Sequence, residues 1–190
     1  MTAAGPTLRV HAVEPRSRAN GPGTRFVVWV QGCTLGCPGC FNPGTHDATA
    51  GRDVEVAELL AQLAASGAEG LTVSGGEPLE QAAGVLALLR GARAQGRSTL
   101  VFSGFALDEL RARPLGPEII AELDVLIDGR YVARERLGVG LRGSANQQVR
   151  LLTDRYAEAD IAAVPEAEVR IGPDGAVVLS GVAPLPLRRR

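Results

Sequence analysis

Cysteine is scarce in this chain: of 190 residues only three are cysteine, and all three fall between positions 33 and 40. An odd number packed so closely builds no disulfide framework, and it fits a reducing compartment. Aromatic residues make up 4%, and the only histidines are His11 and His46, so general acid–base groups are few. No charge dominates either, since 20 Lys and Arg against 21 Asp and Glu leave a net charge of −1. That balance gives no broad basic field, so nucleic acid is not an expected partner. The terminal Arg188-Arg189-Arg190 reads as a solvated end. No run of the sequence approaches membrane-spanning length and no early stretch resembles a signal peptide, so the expectation is a cytoplasmic protein with no membrane partner. No repeat, low-complexity segment or linker stands out, and the 45% apolar content supports a single domain over 1–190.

The run RFVVWVQ (25–31) is continuously apolar and β-branched, which reads as a strand covered on both faces. LTVS (71–74), STLVF (98–102), LDVLI (123–127) and VRLL (149–152) share that character. Between the first two, residues 53–66 carry Val56, Leu59, Leu60 and Leu63 at helical spacing, with Asp53 as the expected cap and Gly67 as the stop. Residues 79–95 form a second expected helix, weakened by Gly84 and Gly91, and two short helices are expected near 106–112 and 117–122. Strand and helix alternate, so the class is α/β with a parallel sheet. The chain is short for eight βα units, and the expected architecture is a partial (β/α) barrel of about five or six mainly parallel strands. Residues 168–181 read as a C-terminal hairpin turning at Pro173-Asp174-Gly175.

The first strand runs straight into VQGCTLGCPGCFNPGTHD, which holds Cys33, Cys37 and Cys40 spaced C-x3-C-x2-C. Three soft thiolates on one loop, with no fourth cysteine, suit an iron–sulfur cluster that keeps one iron free of protein. Zinc is the alternative. A structural zinc site wants a fourth ligand, here His46 or His11, and neither lies at knuckle spacing. Ser74-Gly75-Gly76-Glu77-Pro78 follows the second strand, where the carboxyl ends of parallel strands carry ligand loops. Glycines there allow close backbone approach and Glu77 can accept a hydrogen bond from an ammonium.

These residues resemble the radical S-adenosylmethionine enzymes, and more narrowly the activating proteins of anaerobic ribonucleoside-triphosphate reductase. The likeness runs through NGPGTRF (20–26), QGCTLGCPGCFNPGTHD (31–47), SGGEPLEQ (74–81), LIDGRY (126–131) and LRGSANQ (141–147). The resemblance implies that Cys33, Cys37 and Cys40 bind three irons of a [4Fe-4S] cluster and that S-adenosyl-L-methionine chelates the fourth. It implies that Gly75, Gly76 and Glu77 hold the methionyl end, with Ser103 and Asp128 facing the ribose or carboxylate region. Asn42, Asp47, Arg142, Ser144, Asn146 and Gln147 also match motif positions, where a loop-stabilising bond serves as well as a functional contact.

The implied chemistry is reductive cleavage of the cofactor to a 5′-deoxyadenosyl radical and hydrogen abstraction from a glycine of a partner glycyl radical enzyme. A low-potential flavodoxin or ferredoxin is implied as the electron donor. Two further readings stand beside it. One is a stand-alone radical enzyme acting on a small metabolite or peptide, since Gly44 occupies a position where activating proteins often carry a larger polar residue. The other is a cluster or zinc protein used for binding or electron relay.

Overall fold

The computed structural model describes residues 5–172 and 175–183, so Pro173, Asp174 and the arginine-rich end lie outside the described residues. In chain order the elements are β1 (Thr7–Ser17), β2 (Arg25–Val30), β3 (Arg52–Glu55), α1 (Val56–Ser66), β4 (Gly70–Gly75), α2 (Ala82–Ala94), β5 (Ser98–Ser103), α3 (Leu107–Arg111), α4 (Gly116–Ala121) and β6 (Val125–Asp128). They continue with β7 (Arg136–Val139), β8 (Arg142–Ser144), β9 (Gln148–Leu151), α5 (Glu158–Ala162), β10 (Ala167–Ile171) and β11 (Val177–Gly181). Seven strands form one mixed sheet in the order β3-β1-β2-β4-β5-β6-β9, while β7–β8 and β10–β11 are separate two-stranded ribbons. No helix among the described residues is long and apolar enough to cross a membrane.

The four central strands, β2, β4, β5 and β6, run parallel, as the buried runs predict. Alternate residues point to opposite faces. Phe26, Val28, Leu71, Val73, Val101 and Leu126 pack with α1 and α2, whereas Leu100, Val125 and Ile127 pack on the other face with Leu141, Ile161 and Val164. Both faces are therefore covered, which is why these runs are apolar throughout rather than alternating.

The edges depart from the parallel expectation. VRLL belongs to β9, which pairs antiparallel with β6, because residues 129–147 return through β7 and β8 instead of a helical crossover. On the other side β1 pairs antiparallel with both β2 and β3, so the sheet exceeds the expected five or six strands. Residues 53–55, expected to open the first helix, lie in β3, and Asp53, the expected cap, is paired opposite Arg9 in the ladder. Helix α1 consequently starts at Val56 with Glu55 before it and no side-chain cap, while Gly67 ends it at φ 66° as expected. The two glycines that weakened α2 as a sequence are packing sites. A Cβ at Gly84 would lie 2.6 Å from the carbonyl oxygen of Thr7, and one at Gly91 would lie 2.3 Å from Leu60 Cδ1. Glycine there lets α2 approach β1 and α1.

Candidate functional site

The cysteine loop begins where β2 ends and is tied down by groups on three elements. Gln31, 2% exposed, donates from Nε2 to the carbonyls of Gly44 (3.0 Å) and Asp47 (2.8 Å), while its Oε1 meets His11 Nδ1 at 2.7 Å. That orientation leaves His11 Nδ1 as the donor. Gln81 donates to the carbonyls of Gln31 and Arg9, joining the loop's base to β1. Glu80 accepts from both the backbone N–H and the hydroxyl of Thr34, at 2.9 and 2.6 Å. Within the loop, Cys40 N–H donates to the Cys37 carbonyl and Asn42 N–H points at Cys40 Sγ, 3.4 Å away.

Cys33, Cys37 and Cys40 line one cavity of about 100 Å³, together with Gly75, Gly76, Glu77, Ser103, Gly129, Gln147 and His46 among others. It opens at the carboxyl ends of β4, β5 and β6. All the sequence-predicted site residues thus meet there except Asp128, which does not line it. Asp128 instead accepts from Leu107 N–H at the start of α3 and from Arg150 Nε, each at 2.9 Å. Among the described residues, no three or more Cys, His, Asp or Glu converge closely enough to hold a single metal ion, although His46 shares the cavity. Burial pushes the Cys33 thiol up from its ordinary value, with the carboxylates of Glu77 and Glu80 adding to the effect.

The glycine pair makes a backbone-to-backbone junction. Gly76 N–H donates to the Val30 carbonyl at 2.8 Å, and Glu77 N–H to the Gly32 carbonyl at 2.9 Å. Gly75 holds φ 104°, and a Cβ on Gly76 would lie 2.1 Å from the Gly32 oxygen. The close approach read from the sequence is therefore first an approach to the cysteine loop.

Glu77 is likewise engaged by the protein. Its carboxylate accepts from Leu79 N–H (2.9 Å), the Ser103 hydroxyl (3.0 Å) and Gly104 N–H (2.8 Å), and the residue is 1% exposed. Burial raises it to about 7, against these three donors, which favour the charged form.

The late motif closes the other side. Gln147 Oε1 accepts from the N–H groups of Gly143 and Ser144 while its Nε2 donates to the Gly129 carbonyl. Asn146 holds the Arg130 carbonyl and the Ser144 hydroxyl accepts from Val132 N–H. Asp47 caps Thr49, so these positions stabilise loops. The pins Gln31, Glu80 and Gln81 had no assigned role from sequence, although each stands inside a matched motif stretch. Phe41 and Tyr131 meet edge to face at 5.1 Å.

A larger cavity of about 430 Å³ adjoins the first and shares Phe41, Asn42, Thr45, Ser74, Phe102 and Val182 with it. Its remaining lining comes from His11, Ala12, Asn20, Trp29, the turn at 43–44 and residues 178–181 of β11.

Comparison with known proteins matches residues 19–150 to the family described as a 4Fe-4S single cluster domain. The chain is 33% identical over 153 residues to the anaerobic ribonucleoside-triphosphate reductase-activating protein of Salmonella typhi, covering 75% of this chain and 97% of that protein. The protein of the same name from Escherichia coli strain K12 is 32% identical over 152 residues, with 75% and 97% covered. That of Enterobacteria phage T4 is 31% identical over 150 residues, with 75% and 93% covered. Among solved structures, QueE from Escherichia coli aligns with a TM-score of 0.46 and 16% identity over 52% of each chain.

Proposed function

This chain belongs to the anaerobic ribonucleoside-triphosphate reductase-activating proteins, and we propose that its smaller cavity is the seat of a [4Fe-4S] cluster held by Cys33, Cys37 and Cys40. The protein is a radical S-adenosylmethionine activase whose partner is a glycyl radical ribonucleotide reductase. The observation that carries the reading is the convergence of three thiols and the Gly75-Gly76-Glu77 backbone on one cavity at the strand ends. The donor set fits the group: three soft sulfurs lie around a cavity instead of converging on one point, as separate corners of a cube require.

When bound, cluster and S-adenosyl-L-methionine together supply a one-electron cleavage that yields a 5′-deoxyadenosyl radical able to take hydrogen from a glycine Cα. The chain's own residues hold and screen that chemistry. Gln31, Glu80 and Gln81 fix the cysteine loop, so the sulfurs are preorganised before loading. The N–H of Asn42 aimed at Cys40 Sγ adjusts the electron richness of one ligand. Gly75 and Gly76 offer a backbone cradle for the cofactor's methionyl end. Glu77 fixes the cradle through Ser103 and Gly104, which themselves line the cavity. Asp128 supports the site from behind by holding α3 and Arg150.

In this reading the sheet forms the wall of a partial (β/α) barrel within one domain, a low-potential flavodoxin or ferredoxin delivers the electron, and the reduced thiols belong to the cytoplasm. The test is anaerobic incubation of the reconstituted chain with reductant, S-adenosyl-L-methionine and a cognate reductase subunit. A glycyl signal in electron paramagnetic resonance, with 5′-deoxyadenosine formed alongside, is expected. A reduced cluster that produces no 5′-deoxyadenosine removes the reading altogether, and 5′-deoxyadenosine without a glycyl signal removes the partner.

A further inference from the structure

The larger cavity differs from the cysteine cavity in what it lacks. Among the described residues, its lining includes no Asp, Glu, Lys or Arg, whereas the cysteine cavity carries Glu77 and three thiols. Amides, hydroxyls, one imidazole, aromatic rings and aliphatic groups make up its wall. A charged small molecule finds no counter-ion there. A peptide main chain suits it better, being neutral, with an N–H donor and a C=O acceptor at nearly every residue.

His11 stands on this wall through an irregularity of β1. The register against β2 shifts between Val10 and Ala12, and the adjacent His11 and Ala12 both line the cavity, where a regular strand would send them to opposite faces. The ring is also set in one state. Gln31 Nε2 is committed to the carbonyls of Gly44 and Asp47, so its Oε1 holds His11 Nδ1 as a donor at 2.7 Å. The neutral ring therefore keeps Nε2 as an acceptor. Nε2 bonds to none of the described residues, and neither does Trp29 Nε1, the donor that β2 brings to the same cavity. Gly44 leaves the imidazole bare: a Cβ there would come 3.6 Å from His11 Cε1, an ordinary contact, with nothing else within 4 Å.

We propose that His11 orients the substrate: the partner's glycine-bearing segment enters the 430 Å³ cavity as main chain, and His11 Nε2 accepts one of its N–H groups. This rests on the activase reading and adds the residue that recognises its substrate. Thr45, Ser74 and Phe102 line both cavities, so a segment held at His11 lies beside the site where hydrogen is taken. Trp29 Nε1 offers a donor to a main-chain carbonyl, so the segment is met through both kinds of backbone group.

His11→Asn keeps a side-chain N–H for Gln31 but removes the Nε2 acceptor, and Gly44→Leu covers the ring from a position whose backbone accepts a side chain. In the cluster-loaded full chain with reductant and S-adenosyl-L-methionine, the rate of glycyl radical formation per reduced cluster is followed by electron paramagnetic resonance against partner concentration. The half-saturating partner concentration should rise about three- to tenfold in His11→Asn, the worth of one hydrogen bond, and at least as far in Gly44→Leu. A half-saturating concentration that stays at the wild-type value in either variant overturns the proposal. So does a lower saturating rate alone, the signature of a disturbed cysteine loop. Trp29 is the chain's only tryptophan and lines the cavity, so its fluorescence reports binding without turnover. A tryptophan-free peptide spanning the partner's glycine should shift it in wild type and bind more weakly to both variants, while a peptide that leaves it unchanged in wild type places the segment elsewhere and overturns the proposal. If wild type forms 5′-deoxyadenosine but never a glycyl radical, the activase reading falls, and the peptide titration alone still decides whether the cavity takes main chain at His11.

Discussion

At Glu77 burial and hydrogen bonding pull against each other. An unfolded chain ionises this carboxyl near 4.5 and the folded one near 7, so between those values the folded state keeps a proton that the unfolded state has lost. Stability from this group is therefore full below about pH 4.5 and declines as pH rises toward 7. In Glu77→Gln the titration is gone and an NH₂ group replaces an acceptor among three donors, at a cost of about 1–3 kcal/mol. Urea midpoints of the cluster-free protein should show wild type ahead of the variant at pH 5.5, with the gap narrowing by pH 7.5. A gap that is constant or widens contradicts the placement of the carboxyl. From the sequence, Glu77 read as a ligand for an ammonium, because the motif reveals the residue type and leaves its neighbours hidden. Ser103 and Gly104 occupy its oxygens from 26 and 27 positions away, a pairing that spacing along one chain does not encode. The cysteines stood out for the opposite reason, since three thiols within eight residues form a pattern that needs little help from the fold to be noticed.

Among the elements, the central strands were readable because burial on both faces makes a strand apolar at every position. β1 was not. Its eleven residues include Arg9, His11, Glu14, Pro15 and Arg16, its register shifts twice against β2, and its polar side chains bond to neighbouring strands, loops and a helix end instead of a core. The antiparallel direction of β9 was hidden too, because a strand of four residues does not encode which way it pairs with its neighbour. Gly91 shows how a weak helix signal becomes a strong packing one. Alanine in an exposed helix gains about 0.5–1 kcal/mol over glycine, but here its Cβ would sit 2.3 Å from Leu60 Cδ1. Gly91→Ala should lower stability by about 1–3 kcal/mol, and the loss should shrink in a Leu60→Ala background. Chemical denaturation of the four proteins of that cycle checks the contact, and additive effects would show that α1 and α2 do not meet at this point.

At the scale of the molecule, the sheet separates two jobs along its length. Arg25 opens β2 and Val30 closes it, a span of roughly 16 Å at ~3.3 Å per residue. At the far end from the cysteines, Arg25 is fully buried and donates to the Thr72 and Ser98 hydroxyls and the Leu71 carbonyl; burial lowers it to about 10. Arg25→Met leaves those oxygens short of a donor and should cost roughly 2–4 kcal/mol of stability. It should leave 5′-deoxyadenosine turnover per folded molecule unchanged, as calorimetry and a turnover assay on the same preparation would establish. A proportionate loss of turnover would mean that the floor of the sheet and its mouth are coupled. The mouth is itself secured by amides and carboxylates: Gln31, Glu80, Gln81 and Glu77 hold the cysteine loop through oxygen and nitrogen, and Cys40 Sγ adds a contact with Asn42 N–H. On the proposed seat, a burst of air that dissolves the inorganic core should therefore leave its socket standing and ready to be refilled.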